Sequence, residues 1–517
     1  MYKHLLRSTL FLGAILFLTG ESNLENNSLI FSTNIAMDTP PIFINDFLVN
    51  DDSVFSDQSR PEVAIDNGGN FIIAWDDDRN GFSNIYAQRY SANGGTIGSN
   101  FRVDDADYSS TYYPDIATDS SGGFIIAWTD LRNGNSDIFA QRYSADGFAI
   151  GSNFLVNDDG GNSNQEVPAI AIDETGGFVI CWEDFRNGRF DVYAQKYSSD
   201  GTTVGNNFLV NSNGSENSAD RPAIAINDSG AFIIVWEGSQ AIYAQRFSYD
   251  GTAIEDNILV TDGGYGEGYR PAIAIDGEGS IVMCWNDFRN GDSDIYAQRY
   301  SSEGSIIGNN FMINDDDSNS AQINPAISVN EEGNFVICWI DDQYLTTQIT
   351  GRAYRTNGTP VDSSFTVNIF NITMAHYEPT CALAGDRLIS SWQAKTVPGL
   401  RYDVFANIYS NMFDYAVPVE DIYIVTEHVL HQNYPNPFNP STTIQYDLPE
   451  HSEVSLIIYD ITGRTVQTLV SRSQASGSYE IVWNGRNRDG EEVAGGMYFA
   501  RLRASEYSSV VKMVYLK

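Results

Sequence analysis

Tryptophan recurs at positions 75, 128, 182, 236, 285, 339 and 392, with intervals of 53, 54, 54, 49, 54 and 53 residues. A proline precedes each, at 61, 114, 168, 222, 271, 325 and 379, 14 residues earlier in six copies and 13 in the last. No single packed core imposes such a period. A stack of equivalent units does. Each unit holds four short runs rich in β-branched and aromatic residues, "PAIAI", "FVICW", "DVYAQKYS" and "NFLVN" in the third copy. Gly, Asp, Asn and Ser bound these runs, so they are expected to be strands. "DETGG" and "SDGTTVG" supply the first and last connections. "FIIAW" is apolar at every position, so both of its faces must be covered. Four antiparallel strands per period, each sheet sandwiched by its neighbours, predict an all-β chain whose main body is a seven-bladed β-propeller.

The ends of the array point to ring closure. A "FLVN"-type run falls at 47–50, 101–104, 154–157, 208–211, 258–261, 311–314 and 365–368, one place ahead of the tryptophans. The first has no repeat before it and the last repeat has none after it. Joining residues 47–50 to the last blade removes both edges.

Repetition also separates scaffold from site. "WTDLRNGNSDIFAQRYSADG" (128–147) returns at 182–201 and 285–304. A catalytic group is needed once, so Asp130, Arg132 and Asp137, with their copies Asp184, Arg186, Asp191 and Asp287, Arg289, Asp294, are expected to form a structural clasp rather than a per-blade ligand site. Gln88, Gln141, Gln195, Gln245 and Gln298 are expected to satisfy buried backbone. Cys181, Cys284 and Cys338 share the position before Trp, and Cys381 takes an Ile/Val position, so all four are expected to be free buried thiols.

Function is expected on the long fourth-to-first loops, which are acidic and differ in every blade. The residue before each repeat proline should enter the innermost strand there and ring the axis: Arg60, Tyr113, Val167, Arg221, Arg270, Asn324 and Glu378. A structural position would repeat one residue type, and this one does not. Three arginines suit a carboxylate or sulfate group. Tyr113 and Tyr269 suit a sugar ring. The binding set is therefore Arg60, Tyr113, Arg221, Tyr269, Arg270 and Glu378, although each Arg pairing with a loop Asp is the plainer outcome. No cofactor is called for. Asp315, Asp316 and Asp317 are the candidates for calcium, against the plainer reading of solvated turn acids.

Residues 433–517 hold 8 Lys or Arg and 9 Asp or Glu, so nearly all of the −39 formal charge precedes them. That acidity disfavours nucleic acid and anionic lipid. Within this tail, Asn433-Tyr-Pro-Asn-Pro-Phe-Asn-Pro440, "YDITGR", the Trp483 region and "GMYFARL" resemble the C-terminal sorting domain of type IX secretion substrates, related to the Ig-like domain of flagellar hook-capping proteins. The resemblance implies a small Ig-like β-sandwich, dealings with outer-membrane secretion machinery, and a place outside or on the surface of a Gram-negative cell. It says nothing about the propeller.

The expected organisation is a signal peptide at 1–20, from Lys3, Arg7 and the apolar run "TLFLGAILFLTG", with no membrane span in the mature chain. A linker at 21–40, the propeller at 41–417, a linker at 418–432 and the sorting domain at 433–517 follow. Gly-x-Ser-x-Gly, His-Glu-x-x-His, Cys-x-x-Cys and phosphate-loop motifs are absent from the sequence, and no Asp-box turn of the sialidase kind is in register. Of the histidines, only His376 lies in a propeller loop. The sequence therefore favours a secreted binding protein for a glycan or protein ligand over an enzyme. The alternative is a sialidase-like or other glycosidase on the same face, which needs two carboxylates. An unrepeated carboxylate pair facing across the pore would favour it.

Overall fold

The structure is a computed structural model of the 517-residue chain, describing residues 42–51, 56–211, 218–239, 241–261, 268–315, 320–342, 347–368, 375–397, 401–413, 428–449, 452–474, 477–488, 490–505 and 507–517. The expected signal peptide and first linker lie outside these residues. The described residues divide into two compact units, one within 37–417 and the other within 418–517.

The first unit is a β-propeller. Its described residues form seven four-stranded antiparallel sheets, each following one Pro–Trp repeat. In the first sheet, Gln58–Ile65 is innermost, followed by Phe71–Asp77, Asn84–Tyr90 and Thr96–Arg102. The other innermost strands are Thr111–Thr118, Gln165–Ile172, Ala219–Ile226, Tyr269–Ile275, Ala321–Val329 and His376–Ala384. Each packs against the next, and the last against the first, so the ring is closed.

Closure takes the form the strand offset implied. Ile42–Leu48 pairs antiparallel with Arg401–Tyr409, placing Phe47 opposite Ala406 and Leu48 opposite Phe405. The strand lies earlier than residues 47–50. In every repeat but the sixth the outermost strand covers the seven residues that end at "FL" or its equivalent, and the following Val–Asn leaves it. The connection is also shorter than "SDGTTVG" suggested: Gly201, at φ 86°, closes a tight turn on Ser198, and Thr203 already pairs with Tyr197.

The core lies between consecutive sheets. Alternation sends Phe178, Ile180 and Trp182 towards the second sheet and Val179 and Cys181 towards Phe232, Ile234 and Trp236 of the fourth. That division is why the second strand is apolar throughout. The position before Trp stays small because it meets the next sheet's Trp. All four cysteines are buried and free, and burial pushes the Cys181 and Cys284 thiols far above their ordinary range, so they behave as packing groups.

The second unit is an Ig-like sandwich. Val429–Leu430, Thr442–Leu448 and Gly477–Trp483 form one sheet; Thr465–Gln474, Ser452–Asp460, Gly496–Ala504 and Tyr507–Tyr515 form the other. Leu456, Ile458, Ile444, Tyr446, Trp483 and Leu502 fill the space between them. The proline-rich segment contributes Phe438, whose ring packs between Trp483 and Tyr515.

Candidate functional site

The residue before each repeat proline lies in one axial channel. Arg60, Tyr113, Val167, Arg221, Arg270, Asn324 and Glu378 line it together with the prolines that follow them, around a volume of about 770 Å³. All seven have positive φ, between 48° and 56°. For a β-branched residue such as Val167 this is a strained conformation. Each marks a break in strand register, as between Ser59 and Glu62 or Asp220 and Ala223, so these are bulges that re-aim a side chain at the axis.

A device that sequence reasoning missed stabilises the bulge. In five copies the residue after the Trp accepts the bulged N–H of the next sheet: Gln393 from Arg60 at 2.9 Å, Thr129 from Val167 at 3.1 Å, Glu183 from Arg221 at 2.7 Å, Glu237 from Arg270 at 3.2 Å and Asn286 from Asn324 at 3.0 Å. Asp76 takes the same place beside the Tyr113 backbone. The signal was present, because six of these seven positions are polar and only Ile340 is not.

The three arginines are not equivalent. Arg60 is ion-paired to the buried Asp76 and lies over the Tyr113 ring at 4.4 Å, so it is committed. Its partner is a strand residue, where the plainer expectation had a loop Asp. Arg221 is 3.5 Å from Glu237 and Arg270 is 4.0 Å from Glu378, on neighbouring sheets and partly exposed. Burial, and then the Arg221 charge, push the Arg270 guanidinium below its usual pKa, with Glu378 and Glu237 opposing. Two cations thus face each other across loosely made pairs. Burial also pushes the Glu183 carboxyl up to about 7 and Asp76 to about 7, the latter against the Arg60 charge.

Five of the six expected binding residues therefore meet in the channel. Tyr269 does not. One place before Arg270 it points the other way, edge-on to Phe288 with ring centroids 5.4 Å apart, as strand alternation requires. The position after each proline was also overlooked: it is Ala in four sheets and Thr380 in the seventh, but Glu62 and Asp115 in the first two, and all seven line the same channel.

The repeated clasp is structural but has a different third member. Arg132 bonds Asp130 at 2.6 Å and the loop residue Asp105 at 2.6 Å, and lies over Phe139. Asp130 also accepts the Trp128 indole N–H at 3.0 Å. Asp137 instead accepts from Asn133, Asn135 and Asn157. The Gln side chains serve backbone as expected, with Gln88 donating to Arg89 O at 2.8 Å. Of the calcium candidates, Asp315 faces Arg352 at 3.7 Å and accepts the Ser364 N–H; Asp316 and Asp317 lie outside the described residues. Among the described residues no three of His, Cys, Asp or Glu are grouped to hold a metal ion.

Residues 439–507 match the family described as the FlgD Ig-like domain. No curated protein matches the chain. Among solved structures, the chain is similar to a protein of unknown function from Dyadobacter fermentans (10% identity, TM-score 0.44, covering 71% of this chain and 98% of that one). It is also similar to an ulvan lyase bound to -[GlcA(1-4)Rha3S]- (9%, 0.46, 70% and 96%) and to an α-L-arabinofuranosidase of Fusarium graminearum in complex with arabinobiose (10%, 0.41, 71% and 98%).

Proposed function

We propose that this protein is an exported binding protein whose propeller channel captures the anionic end of a glycan. The observation that carries this reading is the Arg221–Arg270 pair. Two guanidiniums on adjacent sheets repel each other and are only loosely countered by Glu237 and Glu378. A carboxylate or sulfate between them supplies the missing charge in a geometry that forked donors favour. Tyr113 adds a partly exposed ring at the same mouth. The −39 charge repels long polyanions, so a short chain end suits the channel better than a polymer laid across the face.

The alternative, a glycan hydrolase, gains support from the unrepeated carboxylates Glu62 and Asp115. They lie on adjacent strands rather than across the channel, which favours binding. Screening the full chain on a glycan array, with and without calcium, is expected to return ligands that carry carboxylate or sulfate, with calcium making no difference. Neutral glycans as the main hits, or reducing ends released during incubation, would point away from this reading.

Export belongs to the same proposal. The Asn433–Pro440 segment and the Ig-like sandwich support passage through a type IX secretion system to the surface of a Gram-negative cell, with the signal peptide serving the inner membrane. A chain truncated after Val417 is expected to accumulate in the periplasm of the native host. Normal amounts of it outside the cell would refute the role given to residues 433–517.

A further inference from the structure

Glu237 does two things with one atom. Its Oε2 accepts the Arg270 N–H of the next sheet at 3.2 Å and lies 3.5 Å from the Arg221 guanidinium of its own sheet. The first task needs no charge. At the equivalent place Gln393, Thr129 and Asn286 capture the bulged N–H at 2.9, 3.1 and 3.0 Å with neutral side chains. The negative charge at 237 therefore serves Arg221.

The first sheet shows the same arrangement closed. Asp76 follows Trp75 as Glu237 follows Trp236, and it holds the guanidinium of Arg60, from its own innermost strand, in a short hydrogen-bonded pair. Arg60 lies flat there because the next sheet offers the Tyr113 ring at 4.4 Å. Beside the fourth sheet the equivalent residue is Arg270. Its cation faces the Arg221 charge, and that repulsion works against drawing Arg221 down onto Glu237. The pair stays at 3.5 Å, and the Arg270–Glu378 pair at 4.0 Å. Among the described residues neither guanidinium donates a hydrogen bond; what Glu183 and Glu237 accept comes from the two backbone N–H groups. The forked donors of both side chains are left for a ligand.

We propose that Glu237 is the exchange partner of the ligand: it counters Arg221 until a carboxylate or sulfate enters, and then gives Arg221 up to that anion. This rests on the anionic-ligand reading. The Arg270 N–H keeps Glu237 in the channel wall throughout, so the exchange moves the Arg221 side chain and no covalent bond changes. The charge at 237 thereby sets a threshold. It opposes every incoming anion as a like charge. An anion binds only when its contacts to Arg221 and Arg270 outweigh the pairing that Arg221 leaves. Carboxylate and sulfate meet that condition, because two of their oxygens fit one guanidinium fork. A spherical anion such as chloride does not. Glu237 is thus a specificity-determining residue that works through Arg221 and by repulsion.

The test is isothermal titration of the full chain and of its Glu237→Gln variant with two probes, trigalacturonate for a carboxylate and inorganic sulfate for a sulfate, beside melting curves. Glu237→Gln keeps an acceptor for the Arg270 N–H, as Gln393 does for Arg60, so its melting curve is expected to match the wild type. Glu237→Ala removes that acceptor too and is expected to melt lower. Whichever probe binds the wild type is expected to bind Glu237→Gln about tenfold more tightly, because one like charge at close range is gone. In an Arg221→Gln background the same substitution is expected to gain about threefold or less, because the two side chains are coupled. Unchanged or weaker binding by a folded Glu237→Gln variant makes Glu237 a support for Arg221; it overturns this proposal and leaves the anion reading standing. A gain that persists undiminished without Arg221 overturns it as well, and so does an early melt of Glu237→Gln, since the fold would then need the charge. If neither probe binds the wild type or Glu237→Gln, the anion reading falls and this proposal falls with it.

Discussion

Deleting residues 42–50 is expected to eliminate the soluble monomeric propeller. Every other sheet draws its outermost strand from the chain that has just built it, whereas the seventh takes Ile42–Leu48 from the opposite end. Without it, Arg401–Tyr409 presents an unpaired edge that can template association. Packing is lost too. Ile44, Phe47 and Val49 join a cluster with Trp75, Ile389, Val404, Ala406 and Ile408, and each side chain removed from water contributes about 1.5–3 kcal/mol. Asn50 fastens the closure further, donating to Asp403 at 3.0 Å and accepting the Val404 N–H at 2.9 Å. Together these losses approach the whole stability of a typical domain, about 5–15 kcal/mol. Size-exclusion chromatography should show aggregates. A monomer that melts with the parent would contradict the closure.

The second large effect is expected from Asp184→Ala. This carboxylate is fully buried and accepts the Trp182 indole N–H at 2.8 Å, the Arg186 backbone N–H at 2.9 Å and the Arg186 guanidinium at 2.9 and 2.7 Å. Its removal strands a buried indole donor and a cation, a loss of about 3–5 kcal/mol. Asp158→Ala removes the guanidinium's other partner, at 3.1 Å, but that carboxylate is half-exposed, and the expected cost is below about 1 kcal/mol. Denaturant unfolding of both variants separates the two roles. Equal and small losses would mean that the clasp contributes nothing.

Much of this architecture was legible in the repeat. The Trp–Pro spacing set the sheets, the all-apolar second strand set the sandwiching, and the shifted "FLVN" series set the closure. The strand boundary was misplaced because the outermost strand carries Gly205 at positive φ and exposed residues such as Thr203 and Asn206 that look like turn. Asp137 was assigned to the clasp because it recurs with Arg132, yet recurrence shows that a position matters without showing what it touches. At the site, the proline marked the channel residues correctly, while Tyr269 was included by proximity in sequence where alternation sends it away. Glu62 and Asp115 follow the proline, where four other copies have Ala, and only the fold brings that position to the channel. The capture of a bulged N–H by a residue of the preceding sheet could not be read without knowing which strands are neighbours.

The central claim is that the ligand sits between Arg221 and Arg270 in the axial channel. Its most direct measurement is the binding of an acidic oligosaccharide found on the array to the wild-type chain and to the Arg221→Gln/Arg270→Gln variant, beside their melting curves. Loss of at least about two orders of magnitude in affinity, as expected when two charge-assisted donors are removed, with an unchanged melting temperature, is the result this account expects. Undiminished binding by a folded double variant would contradict it.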